Sequence, residues 1–277
     1  MKHKLIAAAA AVTAAAGCRA VIENTRMLRR ADYTVGIPEM PRLVQISDLH
    51  RRQFGESQSR LIRAVADAKP EYIVVTGDLI SRSMTDFSGT EQLLCRLRAL
   101  APVYLIYGNH ELDLPPQTEA EYRRMLSRCG VRLLDNEMTS IGGITLCGLT
   151  LTAAHYRGGA PLGFRGAETC RADDLSCIFG ECPGNAVLLA HNPLFFDAYA
   201  GWGARLTLSG HIHGGIVRLP GVGGLLSPER RFLPQYDKGR YVRGRSEMIV
   251  SGGLGKLRLF NPPEICVISA TNTDAPS

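Results

Sequence analysis

An α/β fold, with two sheets packed face to face and helices outside them, is the architecture this 277-residue chain predicts. Three observations carry it. Through the first half, short apolar runs rich in β-branched residues or leucine alternate with helical patterns. The second half reads as further strands with few helices between them. Five polar fragments, Asp48-Leu49-His50, Gly77-Asp78, Gly108-Asn109-His110, His191 and Gly210-His211-Ile212-His213, each follow or close one of the apolar runs. In open α/β sheets ligands sit beyond the carboxyl ends of the strands, so these fragments are expected to gather at one rim. The 45% apolar and 21% charged content suits a packed globular chain and argues against disorder.

The elements follow in order. Lys2 and Lys4 precede an apolar run from Leu5 to Ala16, and Gly17-Cys18-Arg19 comes after it. About twelve apolar residues at 1.5 Å each are too few for a hydrocarbon core of about 30 Å. A positive start, a short apolar middle and small residues beyond it match an export signal. Ala15-Ala16-Gly17-Cys18 resembles a bacterial lipoprotein cleavage box, with alanine where leucine is usual three residues before the cysteine; the plain alternative is a buried helix. Residues 1–18 are therefore expected to be an export or lipoprotein signal or anchor, 19–36 a connecting segment, and 37–277 one catalytic domain. The expected location is the bacterial cell envelope, membrane-associated or exported.

Residues 32–36 and 43–47 read as strands. Leu61, Ile62, Val65 and Ala68 give 59–68 a helical period, with Pro70 just beyond its end. A strand at 72–76, an amphipathic helix at 91–100 stopped by Pro102, a strand at 103–107 and a helix at 119–129 ending on Gly130 complete a β-α-β-α-β-α series. That series is the signature of a mostly parallel sheet. Beyond it, 144–151 is strand-like after the Gly142-Gly143 turn, and 153–184 reads as a long loop. Strands at 187–189 and 206–208 flank a helix at 194–200, and 247–250 and 265–268 read as late strands.

Cysteine usage is ambiguous. Cys170, Cys177 and Cys182 fall in one loop-like segment where an exported protein could form a disulfide, but their spacing is not that of a zinc ribbon. Cys95 and Cys147 fall on element patterns where buried thiols are common. The formal net charge is +6. No basic stripe interleaved with aromatics, no zinc-finger spacing and no P-loop occurs, so no nucleic-acid partner is expected. Eight basic residues between Arg230 and Arg258 would attract anionic lipid at roughly 1 kcal/mol per charge, unless they form only a solvated face.

The five fragments carry the chemistry. Asp48 and His50 stand two apart, so in extended backbone both side chains share a face and grip one cation. Asp78 offers two oxygens and can bridge two metals; Asn109 offers a neutral amide oxygen. His191, His211 and His213 supply imidazole nitrogens, suited to zinc and iron among other metals. Taken singly, each fragment is more often a turn, a surface residue or a core histidine; the conjunction in one order decides.

The series Asp-x-His, Gly-Asp, Gly-Asn-His, His, Gly-His-x-His resembles the calcineurin-like metallophosphoesterases over residues 43–216. The N-terminal run, His213-Gly214-Gly215 and the segment from Gly253 to Glu264 look like the bacterial envelope-associated YkuE-like branch. The resemblance implies a four-layer αββα sandwich of two mixed sheets. It implies one divalent ion (Mn, Zn or Fe) held by Asp48, His50, Asp78 and His213, and a second held by Asp78, Asn109, His191 and His211. His110 would be the catalytic residue, facing the substrate. Glu111 or Asp113 could orient it, with a surface role the equal alternative for either. Arg51-Arg52 and Ile216 depart from the usual pattern without removing a ligand.

Two such ions about 3.5–4 Å apart can share a hydroxide that attacks phosphorus in line. The expected substrate is a phosphodiester or a lipid-linked phosphate, with the membrane surface reached through the N-terminus. His155-Tyr156-Arg157 would line the entrance, unless it forms only a simple loop. The alternatives are a phosphomonoesterase or phosphoprotein phosphatase, and a non-catalytic metal-binding scaffold on the same fold.

Overall fold

The computed structural model describes residues 2–156, 168–219, 221–226, 232–256 and 258–271. In chain order its strands are β1 (Arg29–Val35), β2 (Leu43–Ile46), β3 (Tyr72–Thr76), β4 (Val103–Ile106), β5 (Arg132–Leu133), β6 (Glu137–Ile141), β7 (Ile144–Leu149), β8 (Ala186–Ala190), β9 (Leu206–Ser209), β10 (Val217–Leu219), β11 (Gly223–Leu226), β12 (Gly239–Arg243), β13 (Ser246–Val250) and β14 (Glu264–Ala270). The α-helices are α1 (Lys2–Thr25), α2 (Ser59–Asp67), α3 (Ser88–Arg98), α4 (Asn109–Leu112), α5 (Pro116–Arg128), α6 (Ala172–Phe179) and α7 (Phe196–Trp202).

One six-stranded sheet runs β1-β14-β2-β3-β4-β5 and the other β12-β13-β9-β8-β7-β6, with β10-β11 a separate hairpin. In the first, β2 to β5 are parallel and β14 is antiparallel to β2. In the second, β7, β8, β9 and β13 are parallel, with antiparallel β6 and β12 at the edges. The alternation of side chains along each strand builds three cores. Leu43, Val74 and Ile106 of the first sheet meet Leu146, Val187 and Leu208 of the second. The intervening Val44, Ile73 and Leu105 face Leu61, Leu93 and Met125 of α2, α3 and α5. On the far side, Leu188 and Val250 pack against Leu175, Tyr199 and Trp202 of α6 and α7. The order is α, β, β, α.

Helix boundaries follow local chemistry. α3 starts three residues ahead of the predicted Glu91, because the Asp86 carboxylate accepts the Ser88 N–H at 2.8 Å and satisfies a first-turn donor. α5 also starts three residues early, with Pro116 in the first turn where no donor is needed. It ends at Gly130, whose φ of +66° suits a residue without Cβ.

Three expectations need correction, those for residues 19–36, for residues 153–184 and for Cys95. Residues 19–36 are no mere connection: they finish α1 and supply β1, which pairs with β14 from Arg29 to Val35. The stretch 153–184 holds α6, whose Leu175 and Phe179 are buried. Leu175 and Phe179, four residues apart, share its buried face, while Ile178 is exposed. Cys170, Cys177 and Cys182 are all free thiols, with Cys170 buried, Cys177 exposed on α6 and Cys182 between these extremes. Cys95, expected to be buried, is exposed; its Sγ lies 2.7 Å from that of Cys129. Among the described residues, no helix is long and apolar enough to cross a membrane.

Candidate metal centre

Five parallel strands end at one place. Asp48 follows β2, Asp78 follows β3, Asn109 opens α4 after β4, His191 follows β8, and His211 and His213 follow β9. The loops are laced edge to edge: the N–H of Asp48 donates to Gly77 O, that of His50 to Asp78 O and that of Gly210 to His191 O, each at 3.1 Å.

The backbone there is not extended, which corrects the reading of Asp48 and His50 as same-face neighbours on a strand. Asp48, His50, Asp78, His211 and His213 all have φ between +52° and +71°. Left-handed backbone is uncommon outside glycine, least so for Asp and His, and it costs free energy that the surroundings must offset. The offset is visible. The Asp48 carboxylate accepts the His211 N–H, at 3.0 and 3.2 Å from its two oxygens, and Asp78 Oδ1 accepts the His110 N–H at 2.8 Å. Each carboxylate therefore ties a neighbouring loop. Gly108 completes the fit: a Cβ there would lie inside the Asp78 carboxylate.

Two sets of candidate ligand atoms emerge, each within 4.8 Å of one another: Asp48, His50, Asp78 and His213, and Asp78, His191 and His211. Asn109 adds a buried Oδ1 with no hydrogen-bond partner. Asp78 belongs to both sets. Its Oδ2 lies 3.5 Å from His191 Nε2 and 3.9 Å from the Nε2 atoms of His50 and His110. His191 Nδ1 lies 2.7 Å from Thr76 O and His50 Nδ1 3.3 Å from Ile80 O, so each ring proton is committed to a carbonyl. In the neutral rings both Nε2 lone pairs then point at a carboxylate oxygen, an arrangement that calls for a proton or a metal ion between them. Lone pairs of one sign facing a buried anion are stable only around a cation, and imidazole held by a carbonyl at its other nitrogen is the usual metal-ligating arrangement. The donors present fit two divalent ions.

Electrostatics agree. Burial alone would raise the carboxyl pKa of Asp48 and Asp78, but the neighbouring histidines hold both well below the usual range. Burial opposes charge on His191, yet the Asp78 carboxylate pushes it up to about 9, so in metal-free protein a proton stands where an ion would bind.

His110 sits beside this cluster, its ring centroid 4.5 Å from that of His50. Its Nδ1 accepts the Arg82 N–H at 3.2 Å, which fixes the ring proton on Nε2, the nitrogen facing Asp78. Burial lowers its pKa to about 4. Neither acidic neighbour orients it. Asp113 pairs with Arg82 at 2.7 Å, and Glu111 turns inward. The buried Glu111 carboxylate accepts the N–H groups of Asp78, Ile80 and Gly108 at 2.9, 3.2 and 2.8 Å. It thereby binds the Asp78 loop to the Asn109 loop, a role that position in sequence could not reveal because all three donors are backbone. Burial and the Asp78 charge push it up to about 7.

Three other buried side chains, Asn261, Arg52 and Arg258, have roles that sequence reasoning did not assign. Asn261 donates from Nδ2 to the carbonyls of His213 and Gly215 at 2.6 and 2.8 Å. Arg52 and Arg258 both donate to Gly255 O at 2.6 Å. Tyr156 packs its ring 5.2 Å from that of His211 and 5.9 Å from that of His191, whereas His155 lies against Phe195. Arg157, Arg230 and Arg231 lie outside the described residues. The expected basic surface before Arg258 is largely consumed: Lys238 pairs with Glu264, Arg240 with Glu247 and Arg243 with Asp197, and Arg258 is buried. Glu264 of β14 and Asp197 of α7 lie outside the counted stretch, so a local charge count misses them.

A cleft of about 370 Å³ opens on the histidines. Leu49, Ile216, Arg51 and Lys256 line it together with His50, His110 and His213.

Residues 41–166 match the calcineurin-like phosphoesterase family. The chain is 28% identical to the metallophosphoesterase YkuE of Bacillus subtilis strain 168, covering 96% of this chain and 94% of that protein. It is 29% identical to the phosphodiesterase YaeI of Escherichia coli K12, over 82% of this chain and 81% of YaeI. The UDP-2,3-diacylglucosamine pyrophosphatase LpxG of Chlamydia muridarum is 24% identical, with 82% of each chain covered.

Proposed function

We propose that this chain, whose residues 41–166 match the calcineurin-like phosphoesterase family, is a metal-dependent phosphoric ester hydrolase acting on a phosphodiester or lipid-linked phosphate. One observation carries the substrate class. The cleft that reaches His50, His110 and His213 pairs apolar Leu49 and Ile216 with the cations Arg51 and Lys256. Apolar walls beside cations suit a phosphate that carries a hydrophobic arm. The names of YaeI, a phosphodiesterase, and LpxG, which acts on a diacylated nucleotide sugar, point the same way.

In this reading Asp48, His50, Asp78 and His213 hold one divalent ion, and Asp78, Asn109, His191 and His211 the other. When bound, the pair supplies Lewis-acid chemistry, polarising phosphoryl oxygens and activating water. The protein's part is positional. Asp78 Oδ1 holds the His110 backbone while Oδ2 faces the ligand histidines. His110 keeps its proton on Nε2 because Arg82 occupies Nδ1. With a pKa of about 4 it is neutral at pH 7, and it stabilises charge on the leaving oxygen by hydrogen bonding. The N-terminal run serves as an export or lipoprotein signal that brings the enzyme to the membrane surface of the cell envelope.

The test is to load the full chain with Mn²⁺, count metal, and compare bis-p-nitrophenyl phosphate with p-nitrophenyl phosphate. Preference for the diester, together with competition by an acylated phosphate but not by its water-soluble head group, supports the reading. Preference for the monoester favours a phosphomonoesterase, and metal without turnover favours the scaffold.

A further inference from the structure

The loop that carries His211 and His213 continues directly into β10, and exposed apolar side chains cluster in and beside the β10-β11 hairpin. Leu219 and Val222 are 37% and 60% exposed, Phe232 and Leu233 71% and 50%, and Phe260 40%. Contiguous exposed apolar surface of this kind marks a contact surface rather than chance. Backbone bonds join these residues into one unit. Leu233 N–H donates to Leu225 O at 2.9 Å, Arg218 N–H to Leu259 O at 3.0 Å, and Phe232 bridges Leu226. The unit reaches the cleft itself, because Ile216 N–H donates to Leu226 O at 2.7 Å and Ile216 lines the entrance.

The end of α1 joins the same surface. Glu23 is fully buried and its carboxylate accepts the Asn261 N–H at 3.2 Å, next to Phe260. Val21 and Ile22 of that turn are 62% and 45% exposed. Among the described residues the charge on this rim is one-sided. Glu23, Asp237 and Glu264 are buried and bonded inward, to Asn261, Arg218 and Lys238. Arg26 and Lys256 are exposed.

We infer that the β10-β11 hairpin, Phe260 and the end of α1 form a docking surface for an anionic lipid bilayer, with the metal-site cleft opening beside it. Bulky apolar side chains among exposed cations match the interface of a bilayer with acidic head groups. A second copy of the chain would bring cation against cation. The choice of partner rests on the reading of the substrate as an amphipathic phosphoester. A lipid phosphate would then reach the metal site from the head-group plane.

The experiment is flotation of the full-length chain with phosphatidylcholine vesicles, with and without phosphatidylglycerol, in low and high salt. Binding that needs phosphatidylglycerol, weakens in salt and falls roughly ten- to a hundredfold in Val222→Glu/Phe232→Glu supports the surface. Hydrolysis of the soluble diester is expected to stay unchanged in that variant. Val222→Trp provides a second readout, an emission blue shift on vesicles over the constant background of the mostly buried Trp202. Wild-type binding retained by the double variant, or no blue shift, overturns the inference. So does a wild-type dimer in solution that the double variant splits into monomers. A chain that floats but hydrolyses no phosphoester keeps this surface and sinks the substrate reading instead, so the two failures are distinguishable.

Discussion

Asp78 concentrates the candidate site in one side chain. One oxygen holds the backbone of His110 and the other faces three imidazoles, so its loss acts on two ligand sets and a loop together. Asp78→Ala is expected to abolish turnover and to leave less than one metal per chain, measured by elemental analysis of protein passed through a desalting column. His110→Ala should behave differently. It removes no ligand atom from either set, so metal content should stay near wild type while kcat falls by about 10²–10⁴. The loss should be steepest for esters with poor leaving groups. Metal loss in His110→Ala would contradict its placement outside the ligand sets. The seven ligand candidates and His110 were legible in sequence because each lies within a few residues of a strand end, and strand ends in an α/β sheet are places where ligands collect. Glu111 was legible as a residue and misread as a partner, because its three donors are main-chain N–H groups common to every sequence.

At the scale of elements, the β-α-β-α-β-α half was readable because short, continuous apolar runs alternate with segments whose apolar residues recur at about 3.6. What stayed hidden was how the terminal segments are tied in. β1 was expected at 32–36 and runs from Arg29 to Val35, on the edge of the sheet beside β14 from the far end of the chain, a pairing no local window contains. The end of α1 is tied more firmly still. Glu23 reaches Arg19 and Asn261, and Arg52 donates from a second guanidinium nitrogen to Glu23 O at 2.9 Å. Arg258 is buried in the same neighbourhood, where burial lowers its pKa to about 10 and the Glu23 charge works against that shift. Removing a buried carboxylate leaves buried cations less compensated, a costly change. Glu23→Ala should therefore destabilise the chain by roughly 2–4 kcal/mol in denaturant unfolding. Removal of residues 1–17 retains Glu23 and should cost under about 1 kcal/mol, whereas removal of residues 1–28 should cost at least as much as the point substitution. Equal stability of the two truncations would show that the docked turn contributes nothing.

The whole molecule closes its two sheets over a cluster of buried carboxylates and imidazoles, and this predicts opposite pH responses with and without metal. In the metal-free chain the folded-state pKa of His191 is about 9, against 6.5 for an unperturbed histidine. A raised folded pKa means that the stabilisation by its proton is complete below about pH 6.5 and is lost as pH rises through 9. Metal-free protein should lose up to roughly 3 kcal/mol across that interval, because the Asp78 carboxylate stays ionised while its protonated partner is neutralised. Divalent ions reverse the trend. The ion held by His191 must displace its proton, so the apparent affinity of that site should rise by up to about tenfold per pH unit towards pH 9. Bound metal adds RT ln(1 + [L]/Kd), about 2.7 kcal/mol at a hundred times Kd. The gap in Tm between Mn²⁺-loaded and chelator-treated protein should thus widen steadily from pH 6.5 to 9, which thermal melts at constant ionic strength can measure. His191→Gln should flatten the metal-free slope, since the amide does not titrate. If the gap is constant with pH, or the slope survives in His191→Gln, the proton does not occupy the place assigned to the ion, and the assignment of His191 Nε2 as a metal ligand fails with it.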